Sequence, residues 1–135
     1  MKRVLGIATV VLLLGVFCAA VKGADVAPGA KLEQRVVRHV VLFAYKSGAT
    51  PEQVKAVQDK FFDLKNKIDG IISIEGGPDI SPEKMQQGFT HPFMVTFKSV
   101  AARDAYLPHP AHKEFGTFLG QYLDKVLVVD FESKI

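Results

Sequence analysis

The stretch Val36-Val37-Arg38-His39-Val40-Val41-Leu42-Phe43-Ala44-Tyr45 is β-branched or aromatic almost throughout, and it is apolar on both of its sides. Such a run reads as a strand. Alternation puts Val37, His39, Val41, Phe43 and Tyr45 on one face and Val36, Arg38, Val40, Leu42 and Ala44 on the other. A strand at a solvated surface needs only one apolar face. This one needs cover on both, which rules out a lone hairpin or a sheet wet on one side.

The elements that follow supply one of the two covers. Thr50, Pro51 and Gln53 have the spacing of a helix start with a capping box. Val54, Val57, Phe61, Leu64 and Ile68 then recur at intervals of three and four as a buried stripe, with Lys55, Asp59, Lys60, Asp63 and Lys67 as the solvated face. Gly70 ends that helix. Residues 71–75 form a second strand, stopped by Gly76-Gly77-Pro78, where no Gly-Lys-Ser/Thr follows to make a phosphate loop. A polar connection leads to a third strand over 89–98, in which Pro92 predicts an edge position or a bulge. Ser99 caps a short helix through Leu107; a longer helix spans 111–125, and a last strand 126–131.

The order βαββααβ predicts an α+β, ferredoxin-like sandwich with helices on one face of the sheet. The other face, expected to carry Val, Phe and His side chains, then needs a partner. Two copies stacked sheet to sheet as a dimeric α+β barrel cover it, and a cavity is expected between them.

Ahead of this domain, Lys2 and Arg3 precede an apolar run over residues 4–20. A basic start and a run of about 17 residues, short of the about 20 that a membrane-spanning helix usually needs, predict a secretory signal peptide over 1–24. A retained anchor is the alternative. Residues 25–35 read as a linker and 36–135 as the domain, exported to a periplasmic or extracellular location and with no stable membrane insertion after cleavage. Cys18 is the only cysteine and falls in the signal, so the domain has no disulfide to rely on. Lys2, Arg3 and Lys22 account for the whole excess of 17 basic over 14 acidic residues. The domain itself is near neutral, which sets nucleic acid aside as a partner.

Candidate chemistry rests on the histidines. His39 and His91 share strand parity with apolar neighbours and are expected to converge on a ligand site, with His109 as a further ligand-binding residue and Phe43 and Phe61 as apolar walls. In Tyr106-Leu107-Pro108-His109-Pro110-Ala111-His112, Pro110 suits the first helical position, so His109 is the N-cap and His112 lies in the first turn. The positive end of the helix disfavours imidazolium there and leaves His112 as a base, with Tyr106 as a hydrogen-bond donor to a carbonyl oxygen. A rigid Pro-x-Pro corner that merely positions a helix remains the alternative. No metal or cofactor motif is matched.

His39-Val40-Val41-Leu42-Phe43, Gly88-Phe89-Thr90-His91, Val95-Thr96-Phe97, His109-Pro110-Ala111-His112 and Val129-Asp130-Phe131 together resemble the stress-responsive A/B barrel (Dabb) family of the dimeric α/β-barrel superfamily. The resemblance implies the dimeric barrel. Most members have no assigned reaction, but one, a plant polyketide cyclase, performs an intramolecular aldol cyclisation. Its proton-abstracting histidine falls on His112, its tyrosine on Tyr106 and its other pocket histidines on His39 and His91. A pocket tyrosine of that enzyme falls on Phe61, so the wall here is less polar. Three readings follow: a dimer that binds a small apolar or aromatic molecule, as in a stress response; a cofactor-independent lyase, cyclase or isomerase using His112 and Tyr106; or a homodimer with no small ligand.

Overall fold

The computed structural model describes residues 33–135. The signal peptide and most of the linker lie outside the described residues. Four strands and three helices follow in the order β1 (Arg35–Tyr45), α1 (Pro51–Lys67), β2 (Ile71–Gly76), β3 (His91–Phe97), α2 (Val100–Tyr106), α3 (Pro110–Leu119) and β4 (Leu123–Lys134). The strands form one antiparallel sheet ordered β2-β3-β1-β4, the ferredoxin-like arrangement.

Local chemistry explains most of the boundaries. The Thr50 hydroxyl accepts from Gln53 N, and the Gln53 side chain accepts from Thr50 N, so the capping box closes and α1 starts at Pro51. Ser99 caps α2 in the same way through Ala102 N. Gly70 stands just beyond α1 at φ +93°, and a Cβ there would come within 2.7 Å of the Ala102 Cβ, so the turn into β2 needs glycine for both reasons.

Three expectations are corrected. The last helix stops at Leu119 instead of Lys125, and β4 starts at Leu123. β1 accounts for this: its ladder with β4 runs from Arg35–Lys134 to Tyr45–Leu123, and that pairing draws residues 123–125 out of the helical pattern. Pro92 sits in neither an edge strand nor a bulge, because β3 lies between β2 and β1 and pairs with β1 in unbroken register. It is tolerated as the second residue of β3. Its carbonyl accepts from Gly77 N, just past the end of β2, so its missing N–H faces a place where the ladder has already run out.

The third correction concerns function. The face carrying His39, Val41 and Phe43 is the helix-covered one, not the one expected to meet a second sheet. Val41, Phe43, Phe93, Val95 and Phe97 pack there with Val57, Phe61 and Leu64 of α1, Ala102 and Tyr106 of α2, and Phe115 and Leu119 of α3. Phenylalanine is the bulkiest apolar group available, and burying each contributes about 1.5–3 kcal/mol, so the aromatic side of β1 turns inward and the aliphatic side outward. The histidine-bearing face therefore belongs to each protomer's own interior.

Candidate active site

The corner between α2 and α3 is built by its own sequence. Pro110 occupies the first turn of α3, and His109 is the N-cap, its Nδ1 accepting from Ala111 N at 3.1 Å. His109 thus spends its lone pair on the helix and does not line the cleft. One turn further on, the His112 Nδ1–H donates to Leu107 O at 3.1 Å across the corner. That bond leaves Nε2 as the nitrogen with the free lone pair.

Tyr106 closes α2 and is 1% exposed. Its ring lies against His112 with centroids 4.1 Å apart, against Phe97 at 5.0 Å, and edge-on to His39 at 5.8 Å. Between the helices and the sheet these rings border a cleft of about 260 Å³, lined by His39, Val41, Phe43, Phe61, Tyr106 and His112 with Phe115, Leu119, Val126 and Val128. Its walls are almost wholly apolar apart from the two histidines and the phenol. A larger groove of about 320 Å³ runs between α1 and α3 past Lys60, Lys67 and Glu114, and it contains no histidine.

Burial sets the electrostatics. It holds the His112 imidazole below its ordinary value, with the nearby His39 and His109 adding to the effect and the hydrogen bond to Leu107 O opposing it. Burial is thus the leading cause of a neutral His112. Burial also pushes the Tyr106 phenol well above its ordinary range, so it stays a donor. A neutral base and a neutral acid then sit side by side in an apolar cleft, the pairing that proton transfer next to a carbonyl requires.

Of the expected site residues, His39, Phe43, Phe61, Tyr106 and His112 meet at this cleft, whereas His91 and His109 do not. His91 pairs with Phe43 whereas His39 pairs with Val95, so the two share a face but lie four residues apart along β1, about 13 Å. His91 instead packs edge-on against Tyr45 at 5.0 Å, with its Nδ1 2.9 Å from the Thr90 hydroxyl. Among the described residues no three His, Cys, Asp or Glu side chains come together as metal ligands.

Two further polar residues, Arg103 and the Asp130 of the Val129-Asp130-Phe131 motif, join the site without an expected role. Asp130 Oδ1 lies 2.6 Å from His39 Nδ1, and its other oxygen accepts from the Arg103 guanidinium. A carboxylate in the middle of Val128-Val129-Asp130-Phe131 was the available signal, since a charge inside an apolar strand needs a partner.

Fold and cleft define a ferredoxin-like α+β domain with a histidine–tyrosine site inside the protomer. Residues 37–133 match the Stress responsive A/B Barrel Domain, Dabb, and the chain belongs to that family. It is 43% identical over 97 residues to the stress-response A/B barrel domain-containing protein HS1 of Arabidopsis thaliana, covering 71% of this chain and 88% of that protein. It is 30% identical over 98 residues to olivetolic acid cyclase of Cannabis sativa, covering 73% and 97%. The hydroxynitrile lyase of Passiflora edulis superposes with a TM-score of 0.69 at 27% identity, covering 74% of this chain and 94% of the enzyme. Other similar solved structures are described as dimeric ferredoxin-like proteins.

Proposed function

We propose that the chain is an exported, cofactor-independent lyase or cyclase that moves a proton next to the carbonyl of a small, apolar or aromatic compound. The observation that carries this reading is the His112 imidazole, neutral and tied through Nδ1 to Leu107 O, with its Nε2 free beside the Tyr106 phenol in an apolar cleft. In the first step the C–H bond next to the carbonyl breaks and the proton passes to Nε2. The electron pair moves into the enolate, whose oxygen takes a hydrogen bond from Tyr106. The enolate then attacks a second carbonyl to close a ring, and the C–O π electrons of that carbonyl pass to its oxygen as an alkoxide. The proton held on Nε2 moves to that oxygen and restores the neutral imidazole; the reverse sequence cleaves a ring. A cyclase among the similar proteins supports the ring-closing direction, and a hydroxynitrile lyase among them supports only base-assisted carbon–carbon cleavage that yields a carbonyl.

The near-absence of polar groups from the remaining walls favours a second reading, capture of an aromatic molecule without turnover. One experiment separates the two. The domain is incubated in D2O with 1-phenyl-1,3-butanedione, and deuterium uptake at the carbon between the carbonyls is followed by NMR. Exchange faster than buffer that vanishes in His112→Gln supports the enzyme. Saturable binding with exchange no faster than in buffer supports capture.

A homodimer is part of the proposal. Leu127, Val129 and Phe131 pair with Leu42, Val40 and Arg38 on the outer face of the sheet and are 41–51% exposed, and the dimeric relatives share this fold. A two-fold stack of outer faces covers these side chains in both copies. Sedimentation velocity is expected to find a dimer, and Val129→Glu a monomer. Export is supported by Lys2, Arg3 and the apolar run behind them; N-terminal sequencing of the secreted protein is expected to show residues 1–24 removed.

A further inference from the structure

Beside the Tyr106–His112 pair runs a second line of polar contacts that the proposed reaction leaves unused. His39 sits in the middle of β1 with its side chain 7% exposed, and Asp130 lies directly across the ladder on β4. The His39 Nδ1 is 2.6 Å from Asp130 Oδ1. Arg103 of α2 donates to the second oxygen of Asp130, and these two side chains are 23% and 25% exposed. Arg103 stands three residues before Tyr106, one turn along the same side of α2. Half-buried ion pairs contribute little net stability, because desolvation offsets most of their attraction. The placement calls for another explanation.

An ionised carboxylate only accepts, so the imidazole nitrogen facing Asp130 must carry the proton. We infer that Asp130 and Arg103 are positioning residues for His39, fixing its imidazole as the Nδ1–H tautomer and so presenting an unprotonated Nε2 to the cleft as a second proton acceptor beside His112. The division of labour is electrostatic. A carboxylate this close, acting alone, would draw the imidazole into its charged form, and an imidazolium accepts nothing. The Arg103 charge, shared with the exposed Asp104 at 2.8 Å, offsets Asp130, and burial disfavours a cation further. Burial first and Arg103 second hold His39 below its ordinary value. The other titratable groups facing it are Tyr106 on α2 and His112 on α3, both kept neutral by burial.

The catalytic half of this inference rests on the proton-transfer reading, whereas its tautomeric half stands apart from it. Long-range proton–nitrogen spectra of the labelled domain near neutral pH are expected to show His39 protonated at Nδ1 and bare at Nε2. In Asp130→Asn, Arg103 holds the amide oxygen and turns the NH2 toward Nδ1, so the proton moves to Nε2 and the tautomer reverses. Arg103→Met is expected to raise the His39 titration midpoint by about one pH unit or more. Arg103→Lys, which keeps the charge and guards against a folding defect in the Met variant, is expected to return the midpoint to that of the wild type.

A wild-type His39 protonated at Nε2, a midpoint unmoved by Arg103→Met, or one still raised in Arg103→Lys overturns the inference. If the wild type catalyses no exchange at all, the proton-transfer reading fails, while the tautomer and the midpoint still decide the roles of Asp130 and Arg103.

Discussion

Tyr106 and His112 lie ring against ring, 4.1 Å between centroids, although they belong to different helices. The contact exists because Pro108 and Pro110 turn the chain sharply, and because the His112 Nδ1–H reaches back to Leu107 O and clips the corner shut. The base and the acid are therefore held by one short segment, whose geometry depends little on the rest of the cleft.

Tyr106→Phe isolates the phenol. The ring stays buried against His112, Phe97 and His39, so packing is kept and only the hydroxyl is lost. Deuterium exchange into the diketone is expected to slow by about 10²–10³, the usual cost of removing one donor to a developing oxyanion. The thermal midpoint should stay close to that of the wild type. A large fall in the midpoint with exchange intact would assign Tyr106 a purely structural role.

The pH dependence of exchange follows from His112. Its imidazole titrates below 6.5, and only the neutral form accepts a proton. The rate is expected to rise through a midpoint below that value and then to stay level through neutral pH, where Tyr106 remains protonated and the diketone is not yet ionised. A rate still climbing above pH 7 would contradict the buried, neutral imidazole.

Stability should depend on pH in the same direction. Burial leads the causes that lower His39, His91 and His112 in the folded chain, whereas in the unfolded chain each titrates near about 6.5. Below that value the unfolded chain binds more protons than the folded one, so stability is fully present above about pH 6.5 and is lost as the pH falls. Urea midpoints measured at pH 7.5, 6 and 5 are expected to fall in that order. Equal midpoints would mean that the histidines titrate alike in both states.

Phe61→Ala tests the wall that separates cleft from core. Phe61 is 2% exposed, stacks on Phe115 at 4.9 Å and meets Phe93 edge-on at 5.1 Å. Its loss is expected to cost about 3–5 kcal/mol in urea unfolding, the range for emptying a large aromatic site. A loss under about 1 kcal/mol would show that the cleft collapses freely onto the vacated space, which a close-packed aromatic cluster does not do.

The amino-acid sequence by itself determined the elements whose signals are short-range. Thr50 with Gln53, Ser99 with Ala102, and His109 with Pro110 set their helix starts within three residues, and the alternation in β1 set its two faces. The Tyr106–His112 pairing was legible for the same reason, because the corner that makes it is seven residues long. Tertiary structure decided the rest. The separation of 91 positions between His39 and Asp130 hides their contact, which exists only where β4 lies beside β1. The same ladder took residues 123–125 from a helical pattern, and packing of the phenylalanines turned the histidine face toward the helices rather than outward. Local hydrogen bonds and side-chain period act over a few residues and can be read along the chain. Strand partners and the choice of buried face depend on the whole sheet, where burial of the bulkiest apolar side chains outweighs local preference.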